Sequence, residues 1–274
     1  MHPASVLVLD SGIGGMTVVR AIREVCPGVA VTYVADDAWF PYGRLPPEAL
    51  TERIRTLVAQ GLERQRLDAV VIACNTATTV AIDVLRAGFT LPFVGVVPPV
   101  KTAAALSKTR TIALLATEGT VRSAAVDRLI ADFAADCRVL RIGCPSLAAL
   151  AEAKVRGLPV DLDRLRADLA PLSQADAAAV DVVVLGCTHY PVLTEELAAH
   201  FRPDVTWLDP ALPVARRLAA VLADHPAAAM AERAAGPDVA WFTAAREPDP
   251  ALLPFLASAG FGRAARWPAT AVPA

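Results

Sequence analysis

Short apolar runs alternate with amphipathic stretches along most of this 274-residue chain. The runs are rich in Val, Ile, Leu and Ala. They predict strands over residues 6–10, 31–35, 69–74, 93–96, 111–116, 138–142, 180–187 and 206–208. The segments between them, including 47–66, 121–134 and 162–173, carry apolar residues at helical spacing. Such alternation builds βαβ units and a mainly parallel sheet, and right-handed crossovers put helices on both of its faces. The expected fold class is therefore α/β and doubly wound. The proline cluster Gly95-Val96-Val97-Pro98-Pro99 and a second crossing near Leu208-Asp209-Pro210 divide the chain into two lobes. One is expected to hold residues 1–98 with 209–274, the other residues 99–208. The segment 209–274 reads as more helix than strand, with a late strand over 239–243. Ligands of such sheets bind beyond the carboxyl ends of the strands, and in a two-lobed protein those ends can meet in a cleft.

Two of the apolar runs end alike. Val70-Val71-Ile72-Ala73 leads to Cys74, then Asn75 and Thr76; Val182-Val183-Val184-Leu185-Gly186 leads to Cys187, then Thr188 and His189. Each reads as a buried parallel strand that delivers a thiol at its carboxyl end, followed by a segment able to start a helix. A helix amino terminus favours thiolate over thiol. Two such half-sites suit a reaction that takes a proton from one side of a carbon and returns one to the other, as amino-acid racemisation does. A buried cysteine followed by a helix cap is the plainer reading of either motif alone. A phosphatase nucleophile does not fit, because the sixth residue beyond each thiol is Val80 or Leu193 rather than an arginine. A metal site from Cys74, Cys187 and His189 lacks the usual closely spaced ligand pairs.

Asp10-Ser11-Gly12-Ile13-Gly14-Gly15 follows the first strand and opens a helix. Its glycines allow close backbone approach, and the helix start offers N–H groups to an anion. Asp36 and Asp37 after the second strand also fit a dinucleotide fold, but Thr17 replaces the third glycine of that fingerprint. Phe40-Pro41-Tyr42-Gly43 can wall a small pocket or simply turn. Thr117 and Thr120 follow another strand end, so their hydroxyls can face the same cleft. Glu152, on a helical stretch, reads by default as a solvated acid. Cys26, Cys137 and Cys144 read as small buried hydrophobes.

Composition narrows the partners. Hydrophobic residues make up 55% of the chain and charged residues 20%, which supports a sizeable core. The formal charge of −2, without any Lys/Arg run, argues against nucleic acid as the main partner. There is no apolar run long enough to span a membrane and no secretory leader pattern, so a cytoplasmic location with free thiols is expected.

Taken in order, Asp10-Ser11-Gly12-x-Gly14-Gly15, Pro41-Tyr42-Gly43, Ala73-Cys74-Asn75-Thr76-Ala77 and Gly186-Cys187-Thr188-His189-Tyr190-Pro191 closely resemble the glutamate racemases, within the wider aspartate/glutamate racemase family. Gly95-Val96-Val97-Pro98 and Thr117-x-Gly119-Thr120-Val121 extend the likeness, which fades over residues 248–274. The resemblance implies two pseudo-symmetric lobes with the active site between them, and catalysis without pyridoxal phosphate, metal or other cofactor. It implies that Cys74 takes the α-proton of D-glutamate and Cys187 that of L-glutamate, with Asp10 assisting Cys74, and His189 and Glu152 assisting Cys187. Ser11, Tyr42, Gly43, Asn75, Thr76, Thr188 and His189 match substrate-binding positions; Asp10, Pro41, Thr117 and Thr120 complete the expected pocket. It further implies a homodimer whose D-glutamate feeds peptidoglycan synthesis. Some members carry an amino-terminal extension tied to activation by a cell-wall precursor, a control not expected here because the first strand opens at once. Alternatives are an aspartate racemase, a non-catalytic dicarboxylate-binding protein and, from the glycine motif, a dehydrogenase.

Overall fold

Val6, Leu7, Val8 and Leu9 are all buried, so strand β1 (Ser5–Asp10) is covered on both faces, as a central parallel strand must be. The computed structural model describes residues 4–173, 178–201, 203–224 and 238–268. From β1 the chain runs through α1 (Met16–Val25), β2 (Ala30–Ala35), α2 (Pro47–Arg64), β3 (Ala69–Ile72), α3 (Asn75–Gly88) and β4 (Phe93–Gly95). It continues with α4 (Val100–Leu106), β5 (Thr111–Ala116), α5 (Glu118–Val121), α6 (Ala124–Phe133), β6 (Arg138–Gly143), α7 (Leu147–Val155) and α8 (Leu162–Leu169). Then follow β7 (Val182–Leu185), α9 (Thr194–Ala198), β8 (Thr206–Leu208), α10 (Ala211–Ala223), β9 (Asp238–Phe242), α11 (Leu253–Ser258) and β10 (Phe261–Arg266). The chain forms two compact units, residues 1–96 with 211–274 and residues 97–210.

The first unit holds a six-stranded sheet in the order β10-β9-β2-β1-β3-β4, and all of its pairings are parallel. Alternation along the strands sorts its core into two layers. Leu7, Leu9, Val70 and Ile72 pack with Leu50, Ile54, Leu57 and Val58 of α2 and with Ala77, Ala81 and Leu85 of α3. Val6, Val8 and Val71 point to the opposite face, where α10 packs beside α1 and against β3 and β4. Helices thus cover both faces, as the strand–helix alternation requires.

The second unit holds a four-stranded sheet, again all parallel, in the order β6-β5-β7-β8. That order repeats β2-β1-β3-β4 of the first sheet, with β5 in the place of β1 and β7 in the place of β3. Ile112, Leu114, Val182 and Val184 pack on α4 and α6 through Val100, Ala103, Ala104 and Val126.

Several elements differ from their sequence-based expectations. The helix expected over 121–134 is two: Ser123 caps α6, its hydroxyl accepting from Val126 N at 3.3 Å, and this breaks it from α5. The strand expected over 180–187 narrows to Val182–Leu185. The segment 209–274 contributes two helices and two strands among its described residues, β10 being unforeseen. Cys26 and Cys144 are buried, but Cys137 is partly exposed, because it precedes the edge strand β6. Among the described residues no helix is long and apolar enough to cross a membrane.

Asp181 ties the entry of β7 to the turn before β5. Ser107 Oγ donates to it at 2.6 Å, Thr109 N at 2.9 Å and Lys108 N at 2.6 Å. Burial raises its pKa, but these donors outweigh burial and hold the carboxyl at about 2. A carboxylate depressed in the folded state stabilises above its unfolded pKa, and that stability is lost as pH falls towards the folded value. Asp181→Asn is therefore expected to lower the unfolding free energy by about 1–2 kcal/mol at pH 7, discounted for partial exposure. In urea titrations the gap between wild type and variant should close between about pH 5 and pH 2. A gap that does not change with pH would refute the assignment.

Candidate active-site residues

In the first unit, the loops after β1, β2 and β3 carry the expected residues at the carboxyl end of the sheet. The strand order turns at β1, so the position between β1 and β3 is the switch point where such sheets bind ligands. Asp10 ends β1 and is 1% exposed. Its Oδ2 accepts from Gly12 N at 3.3 Å and Gly15 N at 3.0 Å, so the glycine loop folds around this carboxylate. Tyr33 Oη donates to Gly12 O and pins the loop from the next strand. A Cβ on Gly15 would lie 2.9 Å from Asp10 Cβ and 3.0 Å from Ala73 Cβ, so only glycine lets the loop come this close. The backbone N–H groups that a dinucleotide pyrophosphate would need are thus partly taken by Asp10.

Cys74 lies at the end of β3 and is the N-cap residue of α3. Thr78, one turn into α3, fixes this junction: its hydroxyl donates to Ile72 O at 3.2 Å and accepts from Val96 N at 3.1 Å. Asn75 and Thr76 are buried beside the thiol, as is Ser11 on its own loop. Asn75 is 3% exposed, and neither its Oδ1 nor its Nδ2 has a hydrogen-bond partner among the described residues. Such a group costs about 1–3 kcal/mol until something bonds to it.

Pro41, Tyr42 and Gly43 follow β2, with Tyr42 and Gly43 in a short 3-10 turn, Tyr42–Arg44. Tyr42 is buried in the same core cluster as Cys74, whereas Gly43 is exposed. The Tyr42 hydroxyl donates to Asp36 Oδ2 at 2.8 Å. Burial pushes its pKa well above the usual tyrosine value, followed by the charges of Asp36, Cys74 and Asp10. Asp36 also receives Arg53 Nε at 2.9 Å, Arg53 Nη2 at 2.6 Å and Thr243 Oγ1 at 2.5 Å. Its oxygens are committed inside the protein, which removes it as a ribose-binding acid. The sequence marked Asp36 only for that dinucleotide reading. Its structural role was hidden because Thr243 lies 207 residues away.

In the second unit, Cys187 follows β7, in the place that Cys74 takes after β3. The segment beyond it is a turn and a 3-10 turn, Tyr190–Leu193, before α9, rather than an α-helix starting at the thiol. Pro191 lies in its first turn and lacks the N–H to continue a helix from upstream. A Cβ on Gly186 would meet Ala116 Cβ at 2.9 Å and Leu115 O at 3.0 Å, so the chain reaches Cys187 pressed against β5.

Cys187 Sγ lies 3.9 Å from His189 Nδ1, and His189 Nε2 lies 3.1 Å from Glu152 Oε1. His189 is 2% exposed and Thr188 1%. The Glu152 side chain is 12% exposed, so this acid is not the solvated group of its default reading. Tyr190 Oη donates to Cys144 O at 3.0 Å and anchors the turn that carries His189. Thr117 follows β5 and caps α5, accepting from Thr120 N at 3.3 Å and donating to Thr120 Oγ1 at 2.9 Å. Among the described residues no three His, Cys, Asp or Glu side chains gather as a metal would need.

Comparison with known proteins places the whole chain. The Asp/Glu/Hydantoin racemase family profile matches residues 14–246. Glutamate racemase of Sphingopyxis alaskensis is 42% identical over 267 residues, covering 96% of this chain and 98% of that protein. Glutamate racemase of Vibrio cholerae is 43% identical over 217 residues, covering 79% of this chain and 80% of its own. The crystal structure of Escherichia coli glutamate racemase, solved with L-glutamate and the activator UDP-MurNAc-Ala, superposes with a TM-score of 0.87 at 38% identity, covering 96% of this chain and 98% of that one. Two parallel sheets that each end their third strand in a cysteine motif, and relatives matched over nearly the full length, place this chain in the Asp/Glu/hydantoin racemase family.

Proposed function

We propose that this chain interconverts L- and D-glutamate with two thiols as its acid and base. The observation that carries the reading is the equivalent placement of Cys74 and Cys187, each beyond the strand next to the first strand of its own sheet. The glutamate racemases it matches supply the substrate. In the proposed reaction the Cys74 thiolate takes the α-proton of D-glutamate, and the Cys187 thiol protonates the opposite face. Starting from L-glutamate, the two exchange roles. Two fixed bases on opposite faces spare the enzyme from moving one base across the substrate.

An α-carbon flanked by a carboxylate is a very weak acid, so the carbanion must be held by positioning and electrostatics. Ser11, Pro41, Tyr42, Gly43, Asn75 and Thr76 would bind substrate from the first unit, and Thr117, Thr120, Thr188 and His189 from the second. Asp10 would assist Cys74, and His189 with Glu152 would assist Cys187. The pocket would bind both carboxylates through amides and hydroxyls, without added cofactor. The family resemblance supports a cytoplasmic homodimer that supplies D-glutamate for peptidoglycan.

The buried, unpartnered Asn75 supports a polar ligand at the start of α3. Asn75→Ala is expected to raise KM for glutamate about ten-fold or more, while unfolding in the absence of ligand costs nothing or gains up to about 1 kcal/mol. Initial-rate kinetics and urea unfolding read the two effects; an unchanged KM would remove Asn75 from the substrate site. The reaction itself is tested by incubating the protein with L-glutamate, or with L-aspartate, in D₂O without cofactor. Loss of circular dichroism with deuterium entering at Cα of glutamate is the expected result. No change in either signal with glutamate would overturn the proposal, and a faster change with aspartate would reassign the substrate.

A further inference from the structure

Arg156 stands one residue beyond the end of α7 and has no part in the reaction proposed above. Its Nη1 donates to Glu152 Oε2 at 2.5 Å and to the Glu152 main-chain oxygen at 2.5 Å. One guanidinium nitrogen thus holds both the backbone and the carboxylate of the same residue. The other carboxylate oxygen, Oε1, faces His189 Nε2 at 3.1 Å. On the far side of the ring, Nδ1 faces Cys187 Sγ at 3.9 Å. The four side chains form a run of successive contacts that ends at the thiol. Side-chain exposure falls from 18% at Arg156 to 12% at Glu152 and 2% at His189.

We infer that Arg156 is a positioning residue: by clamping Glu152 Oε2 it aims Oε1 at His189, keeps the imidazole proton on Nε2, and leaves Nδ1 as the atom that exchanges a proton with the Cys187 thiol. A glutamate side chain turns about three bonds, and one hydrogen bond to a ring nitrogen does not fix it. A charge-assisted contact to its second oxygen does, because the carboxylate is then held at both ends. Which ring nitrogen carries the proton is set by the partner of the other. With Nε2–H donated to Glu152, Nδ1 accepts the proton of the thiol. The products are a thiolate and an imidazolium beside an ionised carboxylate, so the proton and the charges balance. The return transfer restores the thiol.

The kinetic consequence rests on the racemase reading; the tautomer is a property of the protein without substrate. The test compares wild type with Arg156→Lys and Arg156→Met. Nitrogen-15 spectra of histidine-labelled protein at about pH 8.5, where a free imidazole is neutral, read the His189 tautomer. The expected result is an Nε2–H ring in wild type, a mixture of tautomers in Arg156→Met, and recovery of Nε2–H in Arg156→Lys. In the L-to-D direction, kcat should fall about ten-fold in Arg156→Met with KM changed less than about two-fold, and lysine should restore part of it. A residue that only capped α7 would lower the melting temperature and leave the tautomer unchanged, which would overturn the inference. An Nδ1–H ring in the wild type would also overturn it. If the methionine variant does not fold, Arg156→Gln takes its place under the same criteria. Should wild type show the expected tautomer responses and yet not racemise glutamate, the reaction assignment fails and the positioning role stands.

Discussion

Racemisation of glutamate is expected to fall about 10³-fold or more in Cys74→Ser and in Cys187→Ser, in both directions, because each turnover uses both residues and proton transfer by a placed group supplies about 10²–10⁴ in rate. Serine keeps the shape of the side chain, but at neutral pH its hydroxyl holds the proton that a thiol can release. The partial reactions should then separate. With Cys74 replaced, Cys187 can still remove and, after exchange with solvent, return the α-proton of L-glutamate. The variant should therefore wash deuterium into L-glutamate with retention and leave D-glutamate untouched. Cys187→Ser should do the reverse. Near-normal racemisation in either variant would sink the two-base mechanism. Equal exchange of both enantiomers in one variant would keep two bases but void the assignment of each to one enantiomer.

Asp36→Ala is expected to cost about 3–5 kcal/mol of stability, since removing one partner of a buried ion pair strands the other. The Asp36 side chain is fully buried, and the Arg53 side chain it meets is 21% exposed. The substitution deletes both bonds from Arg53, the acceptor of the Tyr42 hydroxyl and the acceptor of Thr243. These partners come from α2, from the loop after β2 and from the residue after β9, so one carboxylate joins three parts of the first unit. Urea unfolding gives the size of the loss, and KM for glutamate reports whether Tyr42 has shifted with it. A cost below about 1 kcal/mol would mean that water replaces the carboxylate and that the network does not hold the loop.

The centre of both sheets was legible in the sequence. Val70, Val71 and Ile72 are apolar in succession because a parallel strand is buried on both faces, and the same holds for Val182, Val183 and Val184. The predicted bounds of β5 and β8 match the observed ones residue for residue. The edge was less visible. Among the described residues β10 pairs with β9 alone, and Arg263 and Arg266 are exposed, so its six residues lack the continuous apolar run that marks a strand. Within the candidate site, Asp10 and the two thiols stood out because glycines or β-branched runs frame them. Glu152 did so only through the family resemblance, since nothing near it in sequence marks the acid that faces His189. Arg156 carried a faint signal, an acid and a base four apart at a helix end. The repeated cysteine motif also predicted more symmetry than exists: α3 starts directly after Cys74, while Pro191 turns the corresponding segment after Cys187 into a 3-10 turn.

The second unit is an insertion: its residues, 97–210, interrupt a first unit that resumes at Ala211. During synthesis, the outer edge of β2 leaves the ribosome long before the strand that covers it. Tyr33, Val34 and Ala35 pair with Ala240, Trp241 and Phe242, which are made only after the whole second unit. Until then β2 is a bare parallel edge, the kind of surface that recruits other chains. The first sheet is therefore completed only after the whole inserted unit has been made. A chain terminated before β9 keeps Cys74 and Cys187 but leaves that edge open, so the carboxyl-terminal strands guard a surface exposed since the earliest stage of translation.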